Sequence, residues 1–184
     1  MQKIDVIKTE RLILRPLRMD DLDTAYKWHS DAEYMKYSNP PHTDIKETAE
    51  HLEWVTNEWE SDHQTYYGFG IVLGDKLIGE ISFSHGCGKC GRCVEGEVSI
   101  GCGVYSSFQN RDYEKEAVSA VIDYCFSALD ADIIKMCCDV ESVDELRLIK
   151  SLGMKLKVEN EDCEYNDGRA FKRNIYYLDN FRED

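Results

Sequence analysis

The stretch Val98-Ser-Ile-Gly-Cys-Gly-Val-Tyr-Ser-Ser-Phe-Gln-Asn-Arg-Asp-Tyr-Glu-Lys-Glu-Ala-Val-Ser-Ala-Val-Ile-Asp-Tyr-Cys-Phe-Ser-Ala-Leu129 decides the fold. Its first part alternates. Val98, Ile100, Cys102 and Val104 fall on one side of a strand that runs from Glu97 to Tyr105. From Tyr113 the period changes, and Ala117, Val118, Val121, Ile122, Cys125 and Leu129 form one helical stripe. The next apolar run, Ile133 to Val140, has the length of a buried strand. Strand, helix and strand in that order predict a crossover between parallel neighbours.

Working outward, Glu10 to Leu17 alternates and is rich in branched residues, which predicts a first strand. Asp20 and Asp21 favour the start of a helix with Leu22, Ala25 and Tyr26 on one face. Asn39-Pro40-Pro41 breaks the chain, and Thr43 is placed to cap a second helix whose apolar face is Ile45, Ala49, Leu52, Val55 and Trp59. Thr65 to Leu73 and Leu77 to Phe83 read as strands joined at Gly74-Asp75. Ser142-Val-Asp-Glu145 has the pattern of a capping box opening a short helix that ends at Gly153. Met154 to Val158 and Phe171 to Leu178 read as closing strands joined by an acidic loop. The whole is one α/β domain over residues 1–184, with a mixed twisted sheet and helices on both faces.

Net charge excludes some partners. At −14 the chain lacks the basic face that phosphate backbones require, so nucleic acid is not an expected partner. The same charge suits a cationic acceptor, although it is also what a well-solvated acidic surface looks like. No apolar run approaches a membrane span, and Met1 to Asp5 lacks an apolar signal region. Eight cysteines without a leader point to a reducing, cytoplasmic setting. Cys102, Cys125, Cys137 and Cys138 fall in apolar segments and read as small core residues.

Three phrases, together with the element order, resemble the GNAT superfamily of N-acetyltransferases, and within it the branch of the ribosomal-protein alanine N-acetyltransferases. They are Thr9-Glu-Arg-Leu-Ile-Leu-Arg-Pro-Leu17, Ile100-Gly-Cys-Gly-Val104 followed by Tyr113 and Glu116-Ala-Val118, and Ile149-Lys-Ser-Leu-Gly-Met154. The resemblance implies a GNAT-like acyl-CoA N-acyltransferase fold with acetyl-CoA as cosubstrate. It further implies attack on the thioester by a primary amine, either a small molecule or a peptide. The acceptor would be a protein N-terminus, a polyamine or a small metabolite amine, walled by Asn39-Pro40-Pro41 and the first two helices. Many relatives are dimers, so a homodimer is compatible with it. By the same resemblance the pantetheine arm would pair with the edge from Cys102 to Val104, and the pyrophosphate would meet the loop Gln109, Asn110, Arg111, Asp112, Tyr113 and Glu114 at a helix N-terminus.

This chain departs from the family at that loop. The two family glycines fall on Asn110 and Asp112, and a small residue after the tyrosine is Glu114. Each acid suits the helix N-terminus and opposes an anionic ligand, by order 1 kcal/mol. On the last helix the family's cofactor-touching Asn falls near Val143, and its thiolate-protonating Tyr has no counterpart there. Candidate general bases are Glu97, which shares a strand face with Ser99, and Glu80. The alternative to an enzyme is a GNAT-fold binding or sensing module whose phosphate loop has degenerated.

Cys87, Cys90 and Cys93 repeat at every third residue after His85, among glycines. Three thiols and an imidazole are a zinc-type donor set. Free thiols on a hairpin, or an adventitious disulfide, use the same residues, and the reading adopted assigns no metal to them.

Overall fold

A computed structural model describes residues 6–85, 96–109 and 111–180. The N-terminal alternation becomes two strands, β1 (Ile7–Lys8) and β2 (Leu12–Pro16), the first too short to be read from the sequence. Helices α1 (Leu22–His29) and α2 (Ile45–Glu60) follow, then strands β3 (Tyr66–Leu73), β4 (Lys76–His85) and β5 (Glu97–Val104). Helix α3 (Tyr113–Ala128) crosses to β6 (Ile133–Asp139), and α4 (Val143–Ser151) leads to β7 (Lys155–Glu164) and β8 (Ala170–Asp179).

All the strands join one sheet in the order β1-β2-β3-β4-β5-β6-β8-β7. Among the described strands only β5 and β6 run parallel, as the crossover demands. Their pairing is brief: Glu97, Val98 and Ser99 oppose Ile133, Ile134 and Lys135, and no pair follows. On its other side β5 stays paired with β4, from Val98 opposite His85 to Val104 opposite Gly79. From Ile100 to Val104, therefore, β5 has lost its β6 neighbour and presents a backbone edge. This is the feature that positions the site.

Both faces of the sheet are covered. Tyr67 to Val72 are buried at successive positions, which a strand with one wet face cannot do. On one face Val55 of α2 lies so close to Gly68 that a Cβ there would collide with it. On the other, Phe83 meets Tyr124 of α3 at 5.9 Å between ring centroids. The helical stripe read in α3 is the buried one, with Ala117, Val118, Val121, Ile122 and Cys125 all in the core. Cys125 and Cys138 are buried, Cys102 and Cys137 are half-buried, and all four are free thiols.

Helix α3 is tied to the first strands by one carboxylate. Glu116 Oε1 accepts from Thr9 Oγ1 at 2.5 Å and from Arg11 N at 2.8 Å, and its Oε2 accepts from Arg11 Nε at 2.6 Å. Glu116→Ala is expected to lower the unfolding free energy by about 1–2 kcal/mol, because three charge-assisted bonds are lost but Arg11 remains solvated. A fall in the urea midpoint at constant slope would measure it.

Three local expectations change. Asp44, not Thr43, caps α2: its side chain accepts from Lys46 N at 2.9 Å, while the Thr43 hydroxyl donates to Glu47. The capping box at Ser142 does not form, since that side chain makes no cap bond. The acidic run after Val158 is strand rather than loop, because β7 continues to Glu164. It is an edge strand, where charged side chains stand in solvent and discourage further pairing. Cys87, Cys90, Cys93 and Asn110 lie outside the described residues, so the cysteine reading and that part of the phosphate loop are not addressed by the fold.

Candidate functional site

A cleft of about 990 Å³ runs over the exposed end of β5. Its floor follows from strand register. Glu80 lies opposite Gly103 and Ser82 opposite Gly101, while Gly70 and Gly68 oppose them on β3, so small residues pave one face around a single carboxylate. The chain between α1 and α2, residues 31–39, forms one wall together with His29, His42 and His51. The start of α4 and the residues before it, 141–148, form the other.

Glu80 is held from three sides. Trp28 Nε1 donates to its Oε1 at 2.9 Å, and His29 Nε2 stands 2.9 Å from the same oxygen. His51 Nε2 is 4.0 Å from Oε2. Burial alone would raise its pKa, but the His29 bond and charge, with His51 and Trp28, outweigh that and hold the carboxyl below its usual range. His42 donates or accepts at Thr48 Oγ1 through Nδ1 at 2.8 Å, and its ring centroid lies 4.9 Å from that of His29. Burial lowers the pKa of both His42 and His51, so these rings stay neutral near pH 7. Tyr34 projects over β5: a Cβ on Gly103 would collide with its hydroxyl. Burial, then the charge of Glu80, raise the Tyr34 pKa well above the ordinary phenol value, so it remains a proton donor.

The other end of the cleft is the expected phosphate loop. Asp112 stands at the N-cap position of α3 without a side-chain cap bond, with φ 59° and ψ 14°, the left-handed backbone that a glycine would adopt more easily. The loop thus keeps a glycine-like path with an acid in it. Arg11 anchors it from outside, donating to the Arg111 carbonyl at 3.1 Å and lying 4.7 Å over the Tyr113 ring. Glu114 turns inward, and its Oε1 accepts from Val104 N at 3.0 Å. Gln109 Nε2 donates to the Val104 carbonyl at 3.2 Å. Glu145 of α4 faces the same space. Burial, then the charge of Glu114, push its carboxyl up to about 7. Burial also raises Glu114, against its bond to Val104.

The structure therefore gathers Cys102, Val104, Gln109, Asp112 and Glu114 on one cleft, which Arg111 and Tyr113 do not line. It does not bring Glu97 there. Glu97 is buried at the far end of β5, its Oε1 ion-paired with Lys135 and its Oε2 accepting from Tyr177 Oη at 2.8 Å. Six strand positions separate it from Gly103, on the order of 20 Å. Ser99, half-buried opposite Ser84 and Lys135, is outside the cleft as well. The base expected at Glu97 is corrected on this ground: its charge is paired with Lys135 away from the cleft, and the carboxylate on the cleft floor is Glu80. His29, His51, Tyr34 and Glu145 were not singled out by sequence reasoning. The available signal was slight, His51 lying beside the buried stripe of α2 and Glu145 lying in the first turn of α4.

A family profile described as "Acetyltransferase (GNAT) domain" matches residues 11–155. The uncharacterized N-acetyltransferase p20 of Bacillus licheniformis is 25% identical, covering 95% of this chain and 96% of its own length. The uncharacterized N-acetyltransferase YnaD of Bacillus subtilis is 29% identical, covering 81% and 82%. Among solved structures, RimL, a ribosomal L7/L12 alpha-N-protein acetyltransferase in complex with coenzyme A, superposes with a TM-score of 0.80 at 16% identity, over 95% of this chain and 97% of that one. No helix among the described residues is long and apolar enough to cross a membrane.

Proposed function

The chain belongs to the GNAT acetyltransferase family, and from its cleft we propose that it transfers the acetyl group of acetyl-CoA to a primary amine received at Glu80. The observation that carries this reading is one of register. The carboxylate of Glu80 lies directly across the strand pair from Gly103, within the stretch of β5 whose backbone edge lacks a β6 partner.

The backbone suits the cosubstrate. The free edge from Ile100 to Val104 has main-chain groups available to a strand-like pantetheine arm, and the left-handed Asp112 keeps the turn into the N-terminus of α3. Cys102, Val104, Gln109, Asn110, Arg111, Asp112, Tyr113 and Glu114 are the residues assigned to it. Two side chains already use Val104: Glu114 must release its N–H for that donor to serve a ligand, and Gln109 shares its carbonyl.

Acetyl-CoA supplies an activated thioester. The amine attacks the thioester carbonyl as the free base, and Glu80 Oε2 takes the proton its nitrogen sheds as the C–N bond forms and the C–S bond breaks. Trp28 and His29 hold Oε1 and so aim the carboxylate. The Tyr34 hydroxyl, beside Gly103, is the donor available to the departing thiolate, the role for which α4 offers no tyrosine. Asp31, Glu33, Glu141 and Asp144 along the cleft favour a cationic acceptor over an anionic one.

Calorimetry tests the cosubstrate half. Acetyl-CoA is expected to bind with a micromolar dissociation constant, and no heat at millimolar cofactor would overturn the reading. Thiol release with a panel of peptide N-termini, polyamines and small amines identifies the acceptor class.

A further inference from the structure

We propose that His29, His51 and Glu80 form a binding site for a divalent transition cation of the zinc type. One ligand atom from each residue lies within 4.8 Å of the others. The Glu80 carboxylate is already close to both rings, its Oε1 2.9 Å from His29 Nε2 and its Oε2 4.0 Å from His51 Nε2. Zinc with bonds of about 2.1 Å sets its ligand atoms roughly 3.4 Å apart, so modest side-chain rotation closes the set. Two imidazoles and a carboxylate are a donor set that leaves one coordination position open, and here it opens on the cleft.

The surroundings hold the three donors in place. His29 is 6% exposed, and its Nδ1 is buried with no hydrogen-bond partner among the described residues. The carboxylate is oriented by Trp28 Nε1, as the outer shell of a metal site requires. His42, tied through Nδ1 to the buried Thr48, keeps Nε2 as its remaining donor atom next to His29. The donors stand on α1, α2 and β4, so regular elements rather than loops fix the geometry.

A cation held there occupies the oxygens that the acceptor's proton needs. If Glu80 is the base, which rests on the reading above, the metal inhibits competitively with the amine and not with acetyl-CoA.

The test uses the full chain carrying Cys87→Ser, Cys90→Ser and Cys93→Ser, stripped with chelator, so that thiolate ligation is removed. Zinc chloride is titrated by calorimetry and cobalt by visible absorption, with neither acetyl-CoA nor amine present. One equivalent bound at micromolar affinity is expected, with a cobalt spectrum free of thiolate charge transfer. His51→Ala should weaken zinc at least ~10-fold; His51→Gln serves if the alanine variant fails to fold by circular dichroism. No binding at millimolar zinc, or affinity unchanged in the folded His51 variant, overturns the proposal. Either result leaves the acetyl-transfer reading to its own test, because no acetyl chemistry enters the measurement.

Discussion

Glu80→Gln is expected to lower kcat/KM for the amine acceptor by roughly 10²–10⁴ while leaving acetyl-CoA affinity unchanged within scatter. The amide keeps the shape of the carboxylate and can still accept from Trp28 Nε1, so the 2.9 Å contact and the packing around Trp28 survive. What it cannot do is take a proton. The loss should appear mainly in kcat, because the step removed is made in the transition state. The pH profile gives a second readout. Burial pushes the Glu80 carboxyl up, but His29, His51 and Trp28 together hold it below its ordinary 4.5. The base is therefore ionised across the assay range, and any rise in rate between pH 6 and 9 belongs to the acceptor ammonium. A loss below about threefold in Glu80→Gln would remove the base from Glu80.

Much of the fold is legible from local periodicity. The strand, turn and stripe from Val98 to Leu129 agree with one another at every level, and the structure follows them. The β5 edge is legible for the same reason, since a strand followed by a crossover helix fixes which neighbour is parallel. Distances along a strand and partners across the sheet are a different matter. Alternation puts Glu97 on the face of Gly101 and Gly103, but not that Lys135, on the parallel strand, neutralises it. Glu80 reads as one charge on a strand face. Its importance comes from His29 and His51, which lie on two helices at no regular spacing and meet only when α1 and α2 pack side by side over β4. The Ser142 pattern matches a capping box, yet the cap bond is missing, and the hydroxyl bonds the Glu145 side chain instead. A local motif there competes with a half-buried carboxylate that needs a donor.

That carboxylate leads to the second large effect. Glu114→Ala combined with Glu145→Gln should tighten acetyl-CoA by about 2 kcal/mol at pH 8, ~30-fold, and by far less at pH 6. The argument has two parts. Glu114 holds the Val104 N–H at 3.0 Å, so alanine returns a main-chain donor to the β5 edge. Both acids also repel an anionic ligand whenever they are ionised. Burial raises each of them, Glu145 to about 7, with the charge of Glu114 as the next cause. Between pH 8 and pH 6 Glu145 takes up a proton, so wild-type affinity should rise as pH falls, and the double variant should lose that slope. Stability carries the same sign. An acid whose folded pKa lies above its unfolded value of about 4.5 costs nothing below that pH, and the cost grows as pH rises to about 7 and is complete above it. Glu145→Gln relieves it, by on the order of 2–3 kcal/mol at pH 8 after allowing for the solvent that reaches this half-buried side chain. Urea unfolding at pH 8 and pH 4 separates the two: the variant should gain at the first and not at the second. If the double variant instead binds acetyl-CoA more weakly at both pH values, Glu114 and Glu145 are contacts of the cofactor rather than obstacles to it, and the loop binds by a chemistry of its own.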